Sequence, residues 1–154
     1  MKKMLLASLV AAGLSSGAAV AAPAIDGKVK IGVIGDMGGV YADICGPGCV
    51  TATEMAIEDF GGKALGKPIE VVSADSQLKP DVASSIVRKW VENEGVDTLG
   101  GLVASSVTGA IASVASQNKN IMLISGSASN GFTTKQCSPY IAHWTYNVAA
   151  LANG

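Results

Sequence analysis

The sequence predicts an α/β fold: a doubly wound parallel sheet with helices on both faces. Three observations carry that expectation. Apolar runs alternate with helical patterns from Val29 to Ile124, in the order β-α-β-α-β-α-β, with short connections. Two of these runs, Thr98–Val103 and Ile121–Ile124, stop abruptly in small hydroxyl residues: Ser105 and Ser106 after the first, Ser125, Ser127 and Ser129 after the second. Nineteen glycines against two phenylalanines favour tight turns and close backbone approach over aromatic packing.

The chain opens with a segment that does not belong to the fold. Lys2 and Lys3 precede an uncharged stretch, Met4 to Val20, and Ala19-Val20-Ala21 fits the small-x-small cleavage rule. A membrane anchor is the competing reading, but a core rich in Ala, Gly and Ser that runs into a cleavage site favours a signal peptide over residues 1–21. The protein is therefore expected to be exported. Without Lys2 and Lys3 the 11 basic residues fall to 9 against 12 acidic ones, a net charge of −3. A chain of that charge offers no basic surface to nucleic acid. Residues 22–154 suffice for one domain with its own core.

Within that domain, Val29–Ile34 is the first strand, and Gly35-Asp36-Met37-Gly38-Gly39 a loop of close backbone approach. Pro47 stands near the start of a helix from about Val50 to Phe60, closed by Gly61-Gly62. Met55, Phe60 and the alanines can face the sheet, leaving Glu54, Glu58 and Asp59 in water. Ile69–Ser73 is the second strand, ending at Asp75. A long helix follows from Pro80 or Asp81 to about Glu94; Val82, Ile86, Trp90 and Val91 recur at helical spacing, so Trp90 is expected in the core. Thr98–Val103 is the third strand. Ser105–Thr108 opens a helix to Asn118 with hydroxyls suited to capping. Ile121–Ile124 reads as a strand buried on both faces. Ile141–Thr145 makes a fifth strand and Val148–Ala152 the start of another helix. A helix cut off in its second turn suggests the front part of a longer protein.

Cys45, Cys49 and Cys137 are an odd set for an oxidising compartment. Cys45 and Cys49 could close a short disulfide around Gly46-Pro47-Gly48, leaving Cys137 free; alternatively Cys137 pairs outside this chain. His143 is the only histidine, which argues against a zinc site.

The catalytic motifs are missing. Gly32-x-x-Gly35-x-x-Gly38 is not the dinucleotide fingerprint, because Gly32 lies inside a strand, and no phosphate loop or G-x-S-x-G elbow occurs. No enzyme activity and no cofactor are expected. A binding function needs less. Ligands of such sheets sit at the carboxyl ends of the strands, where Ser127, Ala128 and Ser129 offer backbone N–H groups. The helix after Ser105 presents a dipole that favours a carboxylate. Ser105 and Ser129 can add hydroxyl contacts, although serines at such places also serve simply as caps. Tyr41 in the first loop could cover a ligand, and Tyr146, beyond the last strand, could face the cleft. His143, alone, reads as a structural histidine.

Several stretches together carry a resemblance: Val29-Lys-Ile-Gly-Val33, the loop Tyr41–Val50, Met55-Ala-Ile-Glu-Asp-Phe-Gly-Gly62 and Gly66-Lys-Pro-Ile-Glu-Val-Val72, continued by Ala104-Ser-Ser106, Ile124–Asn130 and His143-Trp-Thr-Tyr146. They are similar to the periplasmic substrate-binding proteins of ABC importers, in the leucine/isoleucine/valine-binding branch with two lobes of the type I periplasmic-binding fold. The resemblance implies a non-catalytic periplasmic receptor that closes two lobes on a small carboxylate or amino acid and delivers it to an ABC permease of the inner membrane. Residues 22–154 would be the first lobe, leading into the hinge. Ligand contacts would fall on Ser105 and on Ser127, Ala128 and Ser129. The His143–Tyr146 set, with the Asp59-Phe-Gly-Gly62 run, looks more like a subgroup associated with aromatic carboxylates and other ligands that are not amino acids. The rival is a ligand-sensing extracellular domain of a signalling receptor with the same fold.

Overall fold

The computed structural model describes residues 27–154; the expected signal peptide over residues 1–21 lies outside the described residues. Six strands form one sheet: β1 Val29–Gly35, β2 Lys63–Ala64, β3 Lys67–Asp75, β4 Thr98–Gly100, β5 Ile121–Ile124 and β6 Ile141–His143. Their order is β2-β3-β1-β4-β5-β6. Strands β3, β1, β4, β5 and β6 run parallel, and β2 is a two-residue antiparallel edge folded back on β3. Among the described residues five helices complete the fold: α1 Ala42–Cys45, α2 Pro47–Asp59, α3 Pro80–Asn93, α4 Ser105–Asn118 and α5 Val148–Asn153, with a 3₁₀ turn at Asn130–Thr133. This is the doubly wound parallel sheet that the sequence predicts.

Side chains alternate across a strand, so the register sorts the sheet into two faces. Gly32, Ile34, Leu99, Met122 and Ile124 share one face; Ile31, Val33, Thr98, Ile121 and Leu123 share the other. The first face is the main core. There α3 lays down Ala83, Val87 and Trp90, an i, i+4, i+7 stripe, beside Val107, Ile111 and Ala115 of α4. Trp90 is buried as expected, and Gly32 makes room for it: a Cβ there would lie 2.8 Å from the indole ring. On the other face the end of α1 seats against β1, since a Cβ on Gly35 would come within 2.3 Å of the Cys45 carbonyl oxygen. Helices therefore cover both faces, α3 and α4 on one and α1 with α2 on the other.

Four expectations need correction. Strand β5 is buried on one face only: Met122 and Ile124 are enclosed, while Ile121 and Leu123 are 54% and 40% exposed. Met55 and Phe60 do not face the sheet, being 60% and 71% exposed. The half-buried stripe of α2 is Val50, Thr53 and Ile57; Met55 points about half a turn away from it, and Phe60 is the residue after the last turn. Strand β4 ends at Gly100, because Gly101 adopts φ +75°, a left-handed conformation that breaks the extended run. Strand β6 likewise ends at His143.

Replacing Trp90 with alanine removes the largest side chain in the α3 stripe. Urea denaturation should show Trp90→Ala to be destabilised by about 3–5 kcal/mol, the range for emptying a buried aromatic site.

Candidate functional site

From β1 the chain crosses to β3 in one direction, then passes over β1 to β4 and continues the other way. That reversal opens a crevice between the carboxyl ends of β1 and β4, the place where such sheets receive ligands. Gly35, Asp36, Ser76, Leu102, Ala104 and Val107 line it.

The β1 side is built around Asp36, a buried carboxylate. Its Oδ1 accepts the Gly39 N–H and its Oδ2 the Tyr41 N–H, both at 2.9 Å. Asp75 adds a second tie, accepting the Met37 N–H at 3.2 Å and the Gln77 N–H at 2.8 Å. The buried Ser76 hydroxyl donates to the Gly35 carbonyl at 2.7 Å. One turn onward Cys45 and Cys49 form a disulfide across the junction of α1 and α2, while Cys137 is free and exposed. The loop that carries Tyr41 is thus fixed at both ends, and Tyr41 itself is exposed.

On the β4 side, α4 starts at Ser105 with Ala104 as its N-cap, and no side chain caps it. The expected hydroxyl cap does not form. Thr108, four residues after Ala104, sends its hydroxyl back to the Ala104 carbonyl at 2.9 Å instead, and Ser105 faces β5. Its Oγ accepts the Ser127 hydroxyl at 3.0 Å, which leaves the Ser105 hydrogen free to donate. Ser127 is wholly buried. Among the described residues the amide N–H groups of Ser105, Ser106 and Val107 have no acceptor, and neither do those of Ala128 and Ser129. Ser129 accepts the Gly131 N–H at 3.2 Å, capping the 3₁₀ turn.

The segment after β5 is pinned at three points. Gly126 N–H reaches the Leu102 carbonyl at 3.2 Å, and Val148 N–H reaches the Ala128 carbonyl at 2.8 Å. Between them His143 Nε2 lies 2.7 Å from the Ser127 carbonyl oxygen.

Of the residues singled out in the sequence, Ser105 and Ser127 are in contact, with Ala128 and Ser129 on the same segment. Tyr41 and Tyr146 stand on the chain after β1 and β6, the strands that flank β4 and β5. Sequence reasoning gave Asp36 no part in the site. An Asp followed by Gly-Gly two residues on is an Asx-turn signal that could have found it. Neither Gly101–Gly109 nor Ile124–Phe132 contains a charged residue. An anion at these two strand ends meets N–H groups, hydroxyls and a helix dipole equivalent to roughly +0.5 charge, with the Asp36 carboxylate on the β1 side of the crevice bonded to its own loop. Among the described residues no group of three His, Cys, Asp or Glu side chains could hold a metal.

This fold is a lobe of the doubly wound α/β class. Residues 28–154 match the family model described as periplasmic binding protein, and the chain belongs to that family. A periplasmic binding protein from Burkholderia mallei is 45% identical with a TM-score of 0.81, over 83% of this chain and 34% of that one. A branched chain amino acid ABC transporter periplasmic ligand-binding protein from Burkholderia xenovorans is 43% identical, TM-score 0.75, over 77% and 32%. A solute binding protein of an ABC transporter from R. palustris, in complex with benzoate, is 25% identical, TM-score 0.72, over 79% and 33%. The chain spans about a third of the length of these relatives. Comparison with curated proteins finds no match.

Asp36→Ala leaves the Gly39 and Tyr41 amides without their acceptor. Its unfolding free energy in urea should fall by about 1.5–3 kcal/mol, the worth of hydrogen bonds to a charged acceptor, and an unchanged midpoint would mean the loop is held elsewhere.

Proposed function

We propose that this chain is the front of an extracytoplasmic solute-binding component of an ABC transporter. Residues 1–21 are its signal peptide to the periplasm, and 22–154 form most of the first of two lobes. The receptor binds a small carboxylate, an aromatic acid or a branched-chain amino acid, between its lobes and hands it to the permease without chemical change.

One observation carries the reading. Two sets of backbone N–H groups without acceptors, at the start of α4 and in Ala128–Ser129, stand on adjacent strand ends joined by the Ser127–Ser105 hydroxyl bond. N–H groups on two neighbouring strand ends, backed by a helix N-terminus and with no charged side chain on either segment, suit a carboxylate. In this reading Ser105 donates its hydroxyl hydrogen, and Ser127, whose hydroxyl and carbonyl are both engaged, holds the cradle in place. Ala128 and Ser129 contribute amides, and Tyr41 and Tyr146 flank the ligand. On this side of the site the carboxylate would be held by dipoles, a grip that is firm when a second lobe excludes water and weak when it does not.

A thermal-shift panel on the full-length protein tests this, with benzoate, 4-hydroxybenzoate, isoleucine, leucine and short amides. Ligand at 100 times its Kd adds about 2.7 kcal/mol, which moves Tm by a few degrees. A shift with carboxylates but not with their amides supports the reading; no shift with any carboxylate contradicts it. With the ligand so found, Ser105→Ala should weaken binding by about 1–3 kcal/mol in isothermal titration, the worth of a hydrogen bond to a charged group.

A further inference from the structure

Resting on that reading of the strand ends, we propose that His143 is the positioning residue of the carboxylate cradle, aiming the Ala128 amide by holding the Ser127 carbonyl. The register sets His143 opposite Ile124, on the buried face of the sheet and directly beneath the segment that follows β5. Its ring meets Phe132 edge-on, with centroids 6.1 Å apart and planes at 85°. Phe132 is only 2% exposed, so it fixes the plane of the imidazole.

The Nε2 atom lies 2.7 Å from the Ser127 carbonyl oxygen. A carbonyl oxygen only accepts, so Nε2 carries the hydrogen and donates it. The consequence runs through the peptide plane. The Ser127–Ala128 peptide is planar and trans, so its C=O and N–H point in opposite directions. Gripping the carbonyl from the core side turns the Ala128 N–H away from the core, and that N–H is one of the groups without an acceptor among the described residues. The same residue sends its hydroxyl to Ser105. One imidazole thus sets the direction of an amide donor directly and steadies a hydroxyl donor one residue away.

A purely space-filling histidine would be replaceable by an apolar side chain of similar size. A positioning histidine would be replaceable by glutamine, whose amide nitrogen takes the place of Nε2. The test uses full-length wild type, His143→Leu and His143→Gln. Deuterium exchange of the Gly126 and Val148 amides, whose bonds to the Leu102 and Ala128 carbonyls tie this segment, is followed without ligand, and titration calorimetry uses benzoate and isoleucine as probes. The Leu variant should exchange these amides about tenfold faster and bind the accepted probe about tenfold more weakly, the worth of one hydrogen bond. The Gln variant should recover both. The proposal is overturned if Leu and Gln behave alike, whether both resemble wild type or both are impaired. If wild type binds neither probe, the carboxylate reading loses its support, and the exchange comparison alone decides whether His143 holds the Ser127 carbonyl.

Discussion

A buried hydroxyl must be paired, and the pairing of Ser127 organises the carboxyl edge of this sheet. Ser127 is shut away from solvent, so its hydroxyl reaches across from the end of β5 to Ser105 at the end of β4. That bond draws two chain segments together. The N-cap of α4 is Ala104, which has no side-chain acceptor, so the amides at the start of α4 are left without one, next to those of Ala128 and Ser129. In the proposed reading these donors, with no charged side chain on either segment, form one small anion-favouring surface.

Such a surface is useful only if it holds its shape, and the core beneath it supplies that. Trp90 lies against the bare backbone at Gly32, and the α3 stripe locks with α4 over Leu99, Met122 and Ile124. Ser105 rises from the first turn of a helix whose next turns, at Thr108, Ile111 and Ala112, are buried. On the β1 side a carboxylate, not an apolar contact, does the holding. Asp36 gathers the backbone of the loop, and the Cys45–Cys49 bridge closes it where α1 gives way to α2. The two sides of the crevice are thus rigid for different reasons, one by packing and one by hydrogen bonds and a covalent link.

Much of this was legible in the residues. The alternation of apolar runs and helical patterns gives the parallel sheet, and the hydroxyl residues after β4 and β5 give the edge to watch. What was not legible has physical causes. Burial of a strand on both faces depends on what covers it, so Ile121-Met-Leu-Ile124 reads the same whether one face or two are enclosed. The apolar residues of α2 do not share a stripe, so Met55 could be assigned to the sheet only by composition. A serine at a helix start reads as a cap, and only three-dimensional neighbourhood reveals that Ser105 is drawn to Ser127. His143 reads as structural, and it is bonded within the fold; its partner, a carbonyl of the very segment that offers free amides, gives that bond its interest.

The most direct test of the central claim is an amide-resolved NMR titration of the full-length protein with a carboxylate that stabilises it. The account predicts that the Ser106, Val107, Ala128 and Ser129 amide protons shift downfield together at one saturating concentration, as N–H groups gain a charged acceptor. Shifts confined to other parts of the lobe, with these four amides unmoved at saturation, would contradict it.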